Sequence, residues 1–197
     1  CIVCKKKKAR EWKIRLSEEI KEQEKNKVKG NFVTLTFSEE SLIMLEREVN
    51  TKIQKLNEET NNKKEIENNN AKLSGYNLEN EMVIIAVKNF REQWRAEERK
   101  KPKKDRIKLK YWLVTELGGN STERIHLHGI IWSNKQKEIV KKWKYGILQI
   151  GSKKSNGTIT NYVGDKTVNY IVKYIMKADK KHPHYKAKVL ASNGIGK

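Results

Sequence analysis

Two histidines separated by one residue are the side chains of this sequence best suited to metal chemistry. His126 and His128 lie in an apolar segment, residues 124–132, that predicts a β-strand. Successive strand side chains alternate between faces, so both imidazoles point the same way, with Cα atoms about 6.5–7 Å apart. Two imidazoles at that separation can bind one cation. The alternative is two polar positions on a solvated face, but the sequence has only four histidines and we favour the metal site.

Glu116 is the expected third ligand. It lies near the end of the preceding predicted strand, residues 109–117, and the turn at Gly118-Gly119-Asn120 predicts a hairpin that brings it close to the histidines. Two histidines and a carboxylate, with positions left for water and a substrate oxygen, suit Mn²⁺ or, less naturally, Mg²⁺. The alternative, an ordinary carboxylate at a strand end, stays open.

Two tyrosines one helical turn apart form the second chemical motif. In a helix predicted at residues 166–178, one side is formed by Tyr170, Lys173, Tyr174 and Lys177, and the other side is aliphatic. Packing explains only the aliphatic side, so we expect the tyrosine side to face water and to serve a function. Tyrosine is a covalent nucleophile when a metal or lysine helps it lose its proton, and a metal-held phosphodiester is a suitable target. The lysines either hold phosphates or protonate the leaving oxygen, or merely solvate the helix.

Other candidate motifs carry weaker signals. His182-Pro183-His184 repeats the histidine spacing, but its central proline and lysine-rich surroundings argue against a strand, so we expect no ligand pair there. Cys1 and Cys4 are either half of a zinc site or two ordinary thiols. Two cysteines in all exclude a disulfide framework and fit a reducing compartment. The sequence contains no Walker loop, nucleophile elbow or dinucleotide fingerprint.

The elements that must position these residues predict an α+β fold. In chain order they are a polar helical stretch at 5–29, a strand at 30–37, a helix after Ser38, a helix at 82–100, the two hairpin strands, a short basic helix at 135–144, a strand at 147–150, a loop or hairpin at 151–160 and the tyrosine helix. This order favours an antiparallel sheet with helices against it, in one domain spanning residues 1–197. Residues 57–80, rich in asparagine, lysine and glutamate, predict a surface insertion.

Apolar periodicity predicts which side chains reach the core. The first strand alternates apolar residues with threonine and is therefore expected to be half-buried, with Val33, Leu35 and Phe37 inward. Ser38 is the expected N-cap of the next helix. The expected helix contacts are Trp12, Ile14 and Leu16, then Leu42, Leu45, Val49, Ile53 and Leu56, then Val83, Val87, Phe90 and Trp94, and beside the tyrosines Val168, Ile171, Val172, Ile175 and Met176.

The charge balance predicts the partner. Forty-four Lys+Arg against 24 Asp+Glu give a formal net charge of +20, which favours a phosphate backbone over other partners. An anionic membrane surface is the alternative, but there is no long basic amphipathic helix and no apolar run near the about 20 residues of a membrane span. We therefore predict a nucleic-acid partner and no membrane. The chain shows no signal-peptide pattern, and without an initial methionine we expect it to be a piece of a longer protein.

In this order, the motifs resemble those of the HUH endonucleases, the superfamily of rolling-circle replication initiators. Residues 32–37 look like their first motif, His126-Leu127-His128 like the second, and residues 170–177 like the two-tyrosine form of the third. More closely, the chain is similar to the initiators of microviruses, especially the gokushovirus branch, at Cys1-Ile2-Val3-Cys4, Arg10-Glu11-Trp12, Thr115-Glu116-Leu117-Gly118, Trp143-x-x-Gly146 and Gly194-Ile195-Gly196. Thr115 stands where the pattern has glycine.

The resemblance implies a fold, a chemistry and a setting. The fold would be a five-stranded antiparallel sheet with the histidines on a central strand and the tyrosine helix facing them. His126, His128 and Glu116 would hold Mg²⁺ or Mn²⁺, and Tyr170 and Tyr174 would be nucleophiles. The activity would be nicking of single-stranded DNA at the phage origin through a 5′-phosphotyrosine link, followed by rejoining. We accordingly expect host replication proteins as partners and the bacterial cytoplasm as the location.

Two other interpretations remain open. A non-catalytic module that stacks single-stranded nucleic acid on its tyrosines would explain the charge and Tyr170 with Tyr174, but not the histidine pair. A plasmid or transposon initiator would use the same chemistry as the phage protein.

Overall fold

The computed structural model describes residues 2–60, 76–118, 124–153, 156–177 and 185–197. Its helices are α1 (Ile2–Lys25), α2 (Glu39–Thr60), α3 (Tyr76–Arg99), α4 (Gln136–Lys142) and α5 (Asp165–Met176). Its strands are β1 (Gly30–Leu35), β2 (Lys110–Leu117), β3 (Ile125–Trp132), β4 (Leu148–Ile150), β5 (Ser152–Lys153), β6 (Ile159–Thr160) and β7 (Val189–Ala191).

Five of the strands form one antiparallel sheet in the order β4-β1-β3-β2-β7, and β5 pairs with β6 in a separate hairpin. The predicted α+β class and the predicted pairing of β2 with β3 are confirmed. Because β3 is central, both of its neighbours place side chains beside it. Glu116 of β2 lies opposite His126, and Thr34 of β1 lies opposite His128.

Helices cover both faces of the sheet. On one face α2 and α3 pack over a core that includes Val33, Leu35 and Phe37, which are buried as predicted. On the other face α1 and α5 pack over a second core that includes Phe32 and Trp112. The expectation of a half-buried first strand is therefore wrong, because this second layer buries Phe32 as well. Burying a side chain of this kind fully stabilises the fold by about 1.5–3 kcal/mol.

Helix α2 begins as the sequence predicts. The Ser38 hydroxyl accepts a hydrogen bond from the backbone N–H of Ser41 at 3.2 Å, which satisfies one of the free donors of the first turn. The predicted face is buried at Leu45, Val49 and Ile53. Leu56, near the end of the same helix, is 47% exposed, so the predicted face leaves the core before the helix ends.

The predicted insertion at 57–80 overlaps two helices. Residues 57–60 end α2 and residues 76–80 begin α3, six residues before the predicted start at 82. Leu78 packs against the core and anchors this early turn. Residues 61–75 lie outside the described residues, so the surface insertion itself stays a prediction.

Helix α1 packs on α5 across the second core. Leu16 is fully buried, and the Trp12 ring meets the Trp112 ring edge-on with centroids 5.8 Å apart. Ile14, predicted as a contact, is instead 58% exposed because it lies on the opposite side of the helix from Leu16. Near the end of the chain, the Ile195 carbonyl accepts two hydrogen bonds from the Arg15 guanidinium, at 2.8 and 3.0 Å. Within the described part of the chain, the helices lack the length and apolar content that crossing a bilayer requires.

Candidate active site

Three side chains from two neighbouring strands converge on one face of the sheet. The Nε2 atoms of His126 and His128 lie 3.5 and 2.9 Å from the same carboxylate oxygen of Glu116. All three ligand atoms lie within 4.8 Å of one another, and they form the only such group of three found among the described residues. The structure therefore brings together the three metal ligands that were predicted from sequence. Strand alternation places the histidines on this face, and the β2–β3 register adds the carboxylate.

The second nitrogen of each imidazole fixes the orientation of its ring. Nδ1 of His126 lies 3.1 Å from the Arg124 carbonyl, which can only accept, so Nδ1 carries the proton. Nδ1 of His128 lies 3.1 Å from the Thr34 hydroxyl. In both rings Nε2 is thereby aimed at Glu116. Hydrogen bonds of this kind orient the histidines of protein metal sites.

The carboxylate is held in its charged form. Burial alone would raise the pKa of Glu116, but hydrogen bonds from His126, His128 and Lys177 outweigh burial and hold that pKa well below its usual range. Lys177 pairs with the second oxygen of the carboxylate, away from the histidines. An ionised carboxylate with two imidazole nitrogens is a donor set for a divalent cation.

Both tyrosines lie at this group, but in different environments. The Tyr174 ring stacks on His128 with centroids 4.9 Å apart and an interplanar angle of 13°. Its hydroxyl donates a hydrogen bond to the Tyr170 hydroxyl at 2.6 Å. Tyr174 is 6% exposed and Tyr170 is 42% exposed. The expectation that both face water is therefore wrong for Tyr174, because α5 packs between α1 and the sheet and turns its tyrosine side toward the histidines.

The two predicted lysines have separate contacts. The Lys173 ammonium lies 3.9 Å from the centre of the Tyr170 ring. Lys177 pairs with Glu116 and lies 6.0 Å from the centre of the Tyr174 ring. Burial, the hydrogen bond donated to Tyr170 and the charge of Glu116 together raise the pKa of Tyr174 above its ordinary value, so that phenol stays neutral. Lys173 supplies a positive charge at the more accessible tyrosine.

Sequence reasoning missed two residues of the site. Phe32 lies parallel to the His128 ring with centroids 6.4 Å apart and meets the Tyr170 ring edge-on at 5.9 Å. His128 is thus flanked by Phe32 on one side and Tyr174 on the other. Thr34 is the other missed residue. The signal was present, because alternation along the first strand puts Phe32 and Thr34 on one face, but only the β1–β3 register places that face beside His128.

The weaker candidates remain untested. His182, His184 and Cys1 lie outside the described residues. Cys4 is exposed and is not part of the ligand group found among the described residues. The zinc half-site therefore stays a prediction.

Comparison with known families identifies the chain. A search of curated proteins and of solved structures found no match. The model of a replication-associated protein family, the ORF2 type, matches residues 74–179, which include Glu116, both histidines of the site and the tyrosine helix. The match covers more than half of the sequence, and the chain therefore belongs to this family of replication-associated proteins.

Proposed function

We propose that this chain initiates rolling-circle replication by nicking single-stranded DNA with a tyrosine and remaining linked to the cut strand. Membership of a replication-associated family supports the role in replication. The observation that carries the chemistry is the placement of Tyr170 and Tyr174 beside Glu116, His126 and His128. The net charge of +20 supports binding to a phosphate backbone.

The three predicted ligands fit a divalent cation. They offer two imidazole nitrogens and one ionised carboxylate oxygen on a single sheet face, with both rings held by their second nitrogens. We propose that Glu116, His126 and His128 hold Mn²⁺ or Mg²⁺, of which Mn²⁺ accepts imidazole more readily. Such an ion, when bound, polarises a phosphoryl oxygen and neutralises the charge that develops in a displacement.

Tyr170 is the proposed first nucleophile because it is the more exposed tyrosine. Its phenol oxygen forms a bond to the scissile phosphorus, and the bond from that phosphorus to the 3′ oxygen breaks. The phenol gives up its proton and the departing 3′ oxygen takes one up, which leaves a 3′ hydroxyl and a 5′-phosphotyrosine. Lys173, stacked over the Tyr170 ring, stabilises the phenolate. Rejoining is the same exchange in reverse, with the 3′ hydroxyl attacking the phosphotyrosine.

Tyr174 is the proposed second nucleophile. Residues four apart on a helix have Cβ atoms about 6 Å apart, so both phenols can reach one phosphate in turn. One tyrosine then holds the old 5′ end while the other cuts the regenerated origin. Origin DNA and host replication proteins are the partners that this cycle requires, and the bacterial cytoplasm is where they would meet.

The direct test is formation of a covalent adduct. The protein is incubated with Mn²⁺ and labelled single-stranded oligonucleotides that tile the replicon encoding it, and adducts are sought after denaturation. One oligonucleotide should yield an adduct, and the Tyr170→Phe/Tyr174→Phe double variant should yield none. Binding of DNA without any adduct would favour the non-catalytic stacking module instead.

A further inference from the structure

A cavity of about 330 Å³ opens beside Tyr170, on the side away from Tyr174 and the metal ligands. It is lined by Phe32, Ser152, Tyr162, Lys166, Thr167 and Tyr170. Its volume lies at the lower end of the about 300–1,000 Å³ typical of small-molecule sites. Its lining is aromatic on several sides, with two hydroxyls and one ammonium. Because Tyr170 forms part of the wall, whatever fills the cavity lies next to the proposed nucleophile.

Tyr162 is the unexplained side chain of this cavity. It is 73% exposed, so packing in the core does not account for it. Its backbone is nevertheless held on both sides. The Asn161 amide accepts a hydrogen bond from the Phe32 backbone N–H and donates one to Asn31, both at 3.0 Å. The Thr167 hydroxyl donates to the Tyr162 carbonyl at 2.9 Å. The loop thus presents an open aromatic ring from a fixed position.

Gly164 makes room for that ring. A Cβ atom at this position would lie 2.7 Å from Cε1 and Oη of Tyr162, closer than side chains tolerate. The ring therefore lies directly against the Gly164 backbone and leaves most of its surface open to the cavity and solvent. Any larger residue at 164 would displace Tyr162.

The chemistry of the cavity matches one nucleotide of a single strand. Nucleobases stack on exposed aromatic rings whatever their sequence, and a neighbouring lysine can contact the linked phosphate. Resting on the proposed function, we propose that this cavity binds one nucleobase of the strand that Tyr170 cuts. The base stacks on Tyr162, and Lys166 contacts its phosphate. Holding that base fixes which phosphate reaches Tyr170, so Tyr162 determines the position of the nick.

Tyr162→Ala and Tyr162→Phe form a matched pair, because both lack the hydroxyl and only Phe keeps the stacking surface. Oligonucleotides carrying 2-aminopurine at successive positions around the nick are titrated without metal, so that no cleavage occurs. Quenching at one position is expected with the wild type and Tyr162→Phe, and its loss with Tyr162→Ala. The Ala variant should also bind about 5- to 150-fold more weakly, the range for loss of one stacked base.

Cleavage with Mn²⁺ then tests positioning. Tyr162→Ala should still form the covalent adduct but spread its cuts over neighbouring phosphates, whereas Tyr162→Phe should cut at one. Lys166→Gln should lower the slope of log affinity against log salt by about 0.7, the value for one phosphate of a single strand.

The outcomes separate this proposal from the nicking reaction. Unchanged affinity, quenching and cut position in Tyr162→Ala would overturn the base site while leaving the nicking reaction intact. Loss of adduct in Tyr162→Phe would also overturn it, because Tyr162 would then act through its hydroxyl. Position-specific quenching without any adduct in the wild type would uphold the base site and refute the nuclease. Thermal melting of each variant checks folding, which an exposed position should leave unchanged.

Discussion

Thr34→Val should weaken metal binding without contributing a ligand atom of its own. The Thr34 hydroxyl lies 3.1 Å from Nδ1 of His128 and is its hydrogen-bonding partner on the side away from Glu116. Valine has nearly the same shape but no hydroxyl, so the imidazole keeps its packing and loses its orientation. Removing a partner of this kind costs about 10- to 100-fold in metal affinity, which equals about 1.4–2.7 kcal/mol. The loss in folding free energy should be smaller, about 0.5–1.5 kcal/mol for one hydrogen bond.

The assay separates orientation from general damage to the strand. Mn²⁺ binding is measured by electron paramagnetic resonance, in which bound Mn²⁺ loses its free-ion signal, and stability by urea unfolding. Thr36→Val is the matched control, because the Thr36 hydroxyl bonds only Ile147, accepting from its N–H at 3.1 Å and facing its carbonyl at 3.3 Å. Thr34→Ser keeps a hydroxyl and should restore affinity.

The expected result is weak Mn²⁺ binding in Thr34→Val alone. If Thr34→Val binds Mn²⁺ as tightly as the wild type, the hydroxyl does not position His128. If Thr36→Val weakens binding to the same extent, strand damage rather than orientation is the cause.

The site and its surroundings allow four further tests. His126→Ala should abolish nicking and Mn²⁺ binding with little loss of stability, whereas His128→Ala should also lower the melting temperature because its ring is flanked by two aromatic rings; cleavage by the double alanine variant would refute the metal assignment. Affinity for single-stranded DNA should fall steeply with salt, and a log–log slope near zero would argue against phosphate contacts. Burial raises the pKa of Glu79 to about 6, so its stabilising effect is complete below its ordinary pKa and is lost as pH rises through 6. Glu79→Gln should therefore stabilise the fold at pH 7 by about 1 kcal/mol, a value reduced for solvent screening of this half-buried group, and not at pH 4, which urea unfolding at both pH values checks. Tyr170→Phe should reduce the first nick more than Tyr174→Phe, and peptide mapping of adducts that places the first link on Tyr174 would reverse the proposed order.

Local periodicity explains what could be predicted. The shared face of His126 and His128 follows from alternation within one strand, and the approach of Glu116 follows from a hairpin whose turn is visible in the sequence. The cap at Ser38 likewise depends on residues within one turn. Each of these features is decided by residues close together in the chain, so the sequence carries enough information to predict them.

The features that were missed depend on contacts between distant segments. Strand β7 has three residues, too few for a periodic pattern, and forms by pairing with β2. Thr34 and Phe32 join the site only through the pairing of β1 with β3. The Tyr162 ring gains its place from Asn161 on one side and α5 on the other. No short window of sequence contains both members of the two strand pairs.

The two tyrosines show how tertiary packing separates residues that are equivalent in sequence. Tyr170 and Tyr174 lie on the same helix side, and each precedes a lysine by three residues. In the fold, Tyr174 is covered by His128 and donates its hydrogen bond to Tyr170, while its neighbour Lys177 is held by Glu116. Tyr170 instead accepts that hydrogen bond, lies under the charge of Lys173 and opens onto the cavity of Tyr162. A hydroxyl that accepts a hydrogen bond and faces a cation is closer to the phenolate than one that donates beside a carboxylate. The asymmetry therefore assigns the first attack to Tyr170, and it arises because α5 meets the sheet at one end of the tyrosine pair and solvent at the other.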